Sequence, residues 1–202
     1  ALLGPAFNLV RTPLCGRNFE YYGEDPFLVG RLAAACVRGM QAEDVAACIK
    51  HYACNNQEAH RFGVDAVVSE TALRELYLPA FRAAVAAGAL LVMAAYNRIN
   101  GVFCTEHRHL LHDVLKDEWG FAGAVVSDWG ATHDAAGAAR GGLDLEMGGD
   151  RHALHFDAPY RALLAAGTIP LTVLRDQGRR LLRVRVAVGH GDPARAAGEL
   201  VT

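Results

Sequence analysis

The sequence predicts an α/β fold, a parallel sheet whose strands are covered by helices. Three observations carry this prediction. The strand candidates are short, near-continuous apolar runs such as "ALLVMAAYN" and "GAVVS". These runs alternate with longer stretches of helical periodicity. Their C-terminal ends collect polar and aromatic residues: Lys50 and His51, Tyr96 and Asn97, Asp128 and Trp129, then Glu146. A strand covered by helices on both faces loses the alternation of a half-exposed one, so unbroken apolar runs point to a parallel sheet.

The elements follow in order. "AFNLV" (6–10) reads as a strand, followed by a polar, glycine-containing loop to Asp25. Pro26 suits a helix start, where its missing N–H has no partner to lose, and 27–41 carries Leu28, Leu32, Ala35, Cys36 and Met40 on a broad apolar face. "DVAACIKHY" (44–52) is a buried strand with a charged end, and "VDAVV" a short extended piece in the long loop beyond. Ser69 caps a helix in which Leu73, Leu76, Tyr77, Ala80, Phe81 and Ala84 recur at helical spacing, with Leu73, Leu76 and Phe81 read as core; Gly88 ends it. "ALLVMAAYN" (89–97) is a strand, "HRHLLHDVLKDEW" (107–119) a helix stopped by Gly120, and "GAVVSDW" a strand. A small-residue helix around 131–140, a short strand "LDLEM" (143–147) and two helices near 157–166 and 171–187 complete the chain. The strand count is about five, whereas a closed (β/α)8 barrel needs eight and typically ~250 residues. The alternatives are an open doubly wound sheet and an incomplete barrel lacking its first strands.

Composition narrows the function classes. With 202 residues, 52% hydrophobic and 21% charged, the chain can bury a real core and is neither disordered nor fibrous. The net charge of −2, with no long basic run, points away from nucleic acid and anionic membrane as partners. No apolar run is long enough to span a bilayer. The opening "ALLGPAFNLV" has neither an initiator Met nor a basic leader segment, so the expectation is that the true N-terminus is missing. Cys15, Cys36, Cys48, Cys54 and Cys104 form no CxxC pair, which reads as reduced, mostly buried thiols, favours the cytoplasm and offers no zinc-ligand spacing. No metal or other cofactor is implied.

The strand-end residues suit a sugar. Hydroxyls take charged and bidentate hydrogen-bond partners, and the apolar face of a pyranose takes an aromatic platform. Longer motifs agree: "CGRNFEYYGEDP" (15–26), "IKHYACNNQE" (49–58), "VSETALRELYLPAF" (68–81), "VMAAYNRINGVFC" (92–104), "LLHDVLKDEWGFAGAVVSDWGA" (110–131) and "GGLDLEMGG" (141–149). In these segments the chain resembles glycoside hydrolase family 3, of the β-glucosidase type, over about 1–150, and more weakly over 157–189.

That resemblance implies an incomplete (β/α)8 TIM-like barrel over 1–150. Residues 151–202 would be closing helices and the start of a linker toward an absent C-terminal sandwich domain. It implies a retaining, exo-acting β-glycosidase for a β-glucoside or related oligosaccharide, without metal or cofactor. Asp128 would be the nucleophile, Trp129 a stacking platform, Arg17, Lys50 and His51 the holders of glycone hydroxyls, and Met93 and Tyr96 the lining of the same subsite. Retaining glycosidases need two carboxyl groups about 5–5.5 Å apart, and the resemblance supplies one here. The acid/base would come from the sandwich domain, and a further sugar-binding aspartate from a segment upstream. Family members with an acid/base inside the barrel carry a histidine near His60, but "YACNNQEAHRFG" has the glucosidase form of that loop. "EMGG" departs from the family's usual "MPG". The isolated chain is therefore expected to have little or no activity and to expose open sheet edges.

Other residues receive plainer readings. His107, His109, His112 and Asp113 read as a solvated helix face rather than a metal site. Glu20, Glu24 and Asp25 are candidate acids, with the "GED" segment (23–25) read rather as loop-structuring through side-chain to backbone bonds; Glu58 with Arg61 reads as an ion pair or loop anchor, and Glu70 with Glu75 as an exposed helix face. Glu146 is read as either a neighbour of the site or a surface carboxylate, and His152 and His155 have no assigned partner. Two other functions compete: a Schiff-base enzyme using Lys50 with His51 and Asp128, and a non-catalytic, truncated sugar-binding chain.

Overall fold

A computed structural model of the chain describes residues 1–148 and 154–191. Three strands form the central parallel sheet, in the order β1 (Cys48–Tyr52), β3 (Leu91–Ala94), β6 (Ala124–Ser127). The register pairs Ile49 with Val92 and Val92 with Val125. All three strand exits therefore lie on one edge, which gathers Lys50, His51, Tyr96 and Asp128.

The predicted strands at 6–10 and 143–147 are corrected to single parallel bridges, Ala6 to Lys50 and Leu145 to Val126, with a further bridge from Leu2 to Ala47. Side chains take ladder positions in both places. The Asn8 amide accepts from His51 N and donates to His51 O, each at 2.9 Å. Asp144 Oδ2 accepts from Val125 N at 2.8 Å, and Ser127 Oγ accepts from Met147 N at 2.7 Å. These two segments still lie where the neighbouring strands of a barrel would lie.

α1 (Pro26–Ala42) begins as expected, with Asp25 Oδ1 accepting from Leu28 N at 2.7 Å. Its buried face differs from the expected one. Val29, Ala33 and Val37 are buried, while Leu28 and Leu32 are exposed. The reason is close helix packing: a Cβ on Gly30 would stand 3.4 Å from Ala83 Cβ and 3.5 Å from Ala80 Cα, so only the small-residue face approaches the partner helix.

The helix capped by Ser69 is not continuous. α2 (Glu70–Ala72) runs into a π-helical turn (Leu73–Tyr77), and Pro79 then opens α3 (Pro79–Ala86). Leu78 N bonds to Leu73 O at 2.9 Å, five residues back. Proline has no N–H for the carbonyl four residues before it, and the wider turn absorbs the break. The wide turn also moves Leu76 off the core stripe: it is 38% exposed, whereas Leu73 and Phe81 are buried as expected.

A small second sheet was not expected beyond its first piece. β2 (Asp65–Ala66) pairs with β4 (Arg98–Ile99), which forms a hairpin with β5 (Val102–Phe103). The turn is Asn100–Gly101, both left-handed at φ 51° and 88°. Asn-Gly is the residue pair that such a two-residue turn favours. The 107–119 helix is also π-type, over His109–Glu118, and ends before Gly120 at φ 66°.

α4 (Ala135–Gly141), α5 (Ala158–Ala165) and α6 (Leu171–Ala187) match the expected helices within a few residues. The sheet has apolar cover on both faces. Ile49, Val92 and Val125 pack with Val37, Phe81, Leu111 and Leu115. Cys48, Leu91, Met93, Ala124 and Val126 pack with Val184 and Leu181 of α6. Among the described residues, no helix is long and apolar enough to cross a membrane.

Candidate active site

Asp128 immediately follows β6, and its backbone N–H donates to Ala94 O on β3 at 3.2 Å. The residue is 8% exposed. Its Oδ1 accepts from the Trp129 N–H at 2.8 Å, while Oδ2 stands 3.6 Å from His51 Nε2. Burial raises the Asp128 pKa above its ordinary value, and the Trp129 N–H, Tyr96, Arg17 and Arg61 oppose that rise. Water is lost to this carboxylate, and nearby donors and cations restore only part of its solvation.

His51 is almost fully buried. Burial, followed by the charges of Arg17, Lys50 and Arg61, lowers its pKa to about 2. The ring is therefore neutral. Its Nε2 lies 3.0 Å from Arg17 Nη2, which can only donate, so Nε2 accepts. The ring proton then sits on Nδ1, facing Tyr21 Oη at 3.3 Å; Tyr21 in turn donates to Asn55 O at 3.1 Å. A neutral ring with its lone pair on Nε2 makes no ion pair with Asp128, despite the 3.6 Å approach.

Glu20 binds the cations beside it. It accepts from Arg17 Nε and lies 3.2 Å from Lys50 Nζ. Glu20, a candidate acid in the sequence, is thus the shared counter-ion of two site cations. Asp25 keeps its local role as the α1 cap. Glu58 pairs with Arg61 at 2.8 Å, as expected, but the pair reaches further than a loop anchor. The Arg61 guanidinium lies 4.7 Å from the Tyr96 ring centroid and 5.1 Å from that of Phe62, and the two rings meet edge to face at 4.7 Å. Tyr96 Oη donates to Trp129 O at 2.9 Å. Burial, and then the Asp128 charge, raise the Tyr96 pKa to about 12, so the phenol stays protonated. The Trp129 indole remains 37% exposed beside the carboxylate.

Six of the seven residues picked from the sequence thus belong to one connected group: Arg17, Lys50, His51, Tyr96, Asp128 and Trp129. Met93 lies in the apolar cluster on the α6 side of the sheet. Sequence reasoning missed Asn8, Tyr21, Glu20 and Arg61 as members. The spacing of Arg17 and Glu20 on one turn was a legible signal; the Asn8 amide carried none.

The remaining candidates fall outside this group. His60 is exposed on a left-handed turn at φ 52°, its carbonyl accepting from Gly63 N at 2.8 Å. His112 Nδ1 lies 3.1 Å from Asp117 and 3.5 Å from Asp113. These three are near enough to share an ion, but the two carboxylates are exposed and the contacts are ordinary ion pairing. His109 and Arg74 both pair with Glu70 on the helix surface. Glu146 Oε2 accepts from Phe156 N at 2.6 Å, a loop contact. The His155 carbonyl accepts from Tyr160 N; His152 lies outside the described residues. A cavity of about 300 Å³ bounded by Thr12, Cys54, Asn55, Tyr77 and Asn97 includes none of the six grouped residues.

Residues 2–184 match the family model described as "Glycosyl hydrolase family 3 N terminal domain". The chain belongs to glycosyl hydrolase family 3. Beta-glucosidase BoGH3A of Bacteroides ovatus is 46% identical over 206 residues, which is 95% of this chain and 28% of that protein. An exo-alpha-(1->6)-L-arabinopyranosidase of Bifidobacterium breve is 52% identical over 147 residues, 72% of this chain and 19% of its own length. Among solved structures, beta-glucosidase 3B of Thermotoga neapolitana in complex with glucose superimposes with a TM-score of 0.87 at 44% identity, covering 92% of this chain and 27% of that one. The chain therefore spans about a quarter of the length of these family members, and its sheet and helices are part of the barrel domain.

Proposed function

We propose that these residues form the nucleophile side of the sugar site of a longer retaining β-glycosidase that removes terminal β-D-glucosyl residues. Residues 1–150 supply part of the barrel, and 151–202 its closing helices and the path toward a C-terminal domain. The observation that carries the reading is Asp128: a mostly buried carboxylate at a strand exit, touched by a backbone N–H and a neutral imidazole but by no direct counter-ion. Such a carboxylate, in its ionised form, is free to bond to an anomeric carbon. Its fixed charge also stabilises the oxocarbenium-like transition state.

In this scheme Asp128 Oδ2 attacks the anomeric carbon, the bond to the leaving oxygen breaks, and water later releases the sugar. Arg17 and Lys50 donate to glycone hydroxyls, since Glu20 takes only part of their donor capacity. The exposed Trp129 indole offers the sugar an apolar face. The proton for the leaving group needs a second carboxyl about 5–5.5 Å from the first. Glu20 and Glu58 are both engaged with cations, so neither carboxyl is free to meet a leaving oxygen. The acid then comes from chain beyond these residues. The Lys50 amine is engaged with Glu20 at 3.2 Å, which speaks against its service as a free Schiff-base nucleophile.

The glucose-bound Thermotoga and Streptomyces venezuelae relatives support glucose as glycone. The Bifidobacterium arabinopyranosidase, 52% identical over 147 residues, supports a glycone choice made partly outside this segment. The decisive experiment treats the full-length polypeptide carrying this segment with a 2-deoxy-2-fluoro-β-glucoside. Peptide mapping is expected to find the sugar on Asp128; label elsewhere, or none despite turnover of an aryl β-glucoside, would overturn the assignment. The purified 202-residue chain is expected to be inactive toward the same aryl glucoside.

A further inference from the structure

The charge pattern around the carboxylate has a feature that neither hydroxyl binding nor nucleophilic attack requires. Three cations, Arg17, Lys50 and Arg61, lie in the group that contains Asp128. Two of the carboxylates there, Glu20 and Glu58, are engaged with them. Counting Asp128 as the third anion, the group is electrically balanced, with His51 neutral. The balance is uneven in geometry: Glu20 takes two cations, and Asp128 has no direct ion pair. Arg17, Lys50 and Glu20 side chains are 20%, 16% and 19% exposed, so water screens them little.

We propose that Glu20 is a positioning residue that holds Arg17 and Lys50 off the nucleophile, keeping Asp128 unpaired and turning the remaining cationic donors toward the sugar. The inference rests on the glycosidase reading above and concerns how that site is kept poised. Without the Glu20 charge, the anion of this group left without a cation is Asp128, since Glu58 is engaged with Arg61. An ion pair there would stabilise the resting carboxylate more than the transition state, where that charge is spent on a bond to carbon. It would also mispoint the donors that hold the glycone.

The groups that act on Asp128 or lie beside it are Cys48 and His51 from β1, Arg17 from the loop before α1, Arg61 from the loop after β1, and Tyr96 beyond β3, with Lys50 of β1 acting on Cys48 and His51. His51 and Tyr96 keep one protonation state across the working range, as does Cys48, whose pKa burial raises to about 12. None of these three therefore shapes the acid limb of kcat/KM, which reports the free enzyme, and Asp128 is the carboxylate there without a cation.

The test compares wild type, Glu20→Gln and Glu20→Asp in the full-length polypeptide, with an aryl β-glucoside across pH. Glu20→Gln is expected to move the acid limb down by about one pH unit, as a newly closer cation should. It should also cut plateau kcat/KM at least about tenfold. Glu20→Asp keeps the charge at shorter reach; it should leave the acid limb in place and raise KM. Glucose affinity, read calorimetrically, should fall in both variants. A uniform loss of activity with an unmoved acid limb in Glu20→Gln would mean a merely structural role and overturn the inference. So would an unfolded Glu20→Gln accompanied by a Glu20→Asp variant identical to wild type. An inactive wild type would overturn the glycosidase reading and this inference with it, whereas an active wild type beside an unaltered Glu20→Gln overturns the inference alone.

Discussion

Two carboxylates flank β6 in opposite conditions. At the entry end Asp144 is paired with Lys116 at 2.7 Å and accepts the Val125 N–H at 2.8 Å, while Lys116 also donates to Gly142 O at 2.7 Å. At the exit end Asp128 has the Trp129 N–H and the Tyr96 phenol as neutral partners and a neutral imidazole 3.6 Å from Oδ2, but no cation on it. Burial raises the pKa of both acids. Only at the entry end is the desolvated charge fully answered. A satisfied buried pair joins elements, here the His109–Glu118 helix to the sheet, whereas a carboxylate left partly unanswered retains reactivity.

This contrast can be broken from either end. The largest effect is expected at the exit. In the full-length polypeptide, Asp128→Asn should lower kcat for an aryl β-glucoside by at least about 10³-fold, with the melting temperature unchanged or raised, because a costly buried charge is gone. A marked loss of stability would make Asp128 a structural group like Asp144. At the entry end, Lys116→Met should cost about 3–5 kcal/mol in urea unfolding by leaving Asp144 uncompensated. The double variant Lys116→Met, Asp144→Leu should recover much of that loss, and turnover per folded molecule should stay near wild type.

The smallest effect concerns pH. The folded-state pKa of His51, about 2, lies below the ordinary 6.5, so the unfolded chain takes up a proton that the folded chain refuses. Its contribution is fully present above pH 6.5 and is lost as pH falls toward the folded value, by roughly 1.4 kcal/mol per unit at most. Melting curves from pH 7 to 5 should therefore fall more steeply for wild type than for His51→Gln; parallel curves would mean the ring takes up its proton when folded.

Much of the architecture was legible. The apolar runs at 48–52, 91–94 and 124–127 are strands in parallel register, and Pro26, Ser69, Gly88 and Gly120 punctuate as their chemistry dictates. The Asn100–Gly101 hairpin was equally legible and passed unnoticed. Leu76 was not legible, since helical spacing assumes a uniform helix and Pro79 imposes a wider turn before it. Leu28 and Leu32 misled for a related reason: periodicity identifies an apolar face, but the closeness of α1 to α3 selected the small residues beside it.

The sequence alone determined which segments could be buried, where turns interrupt them, and that a carboxylate and an indole stand at a strand exit. These follow from local sterics and from the apolar content of each run, both carried by neighbours in the chain. Only the tertiary structure decided that Glu20 faces Arg17 and Lys50, that His51 is neutral, and that Asp128 stands without a counter-ion. Charge pairing and desolvation depend on distance in space, and residues 51 and 128 meet only when the parallel sheet brings their strand exits to one edge, with Arg17 folded against them from the loop before α1.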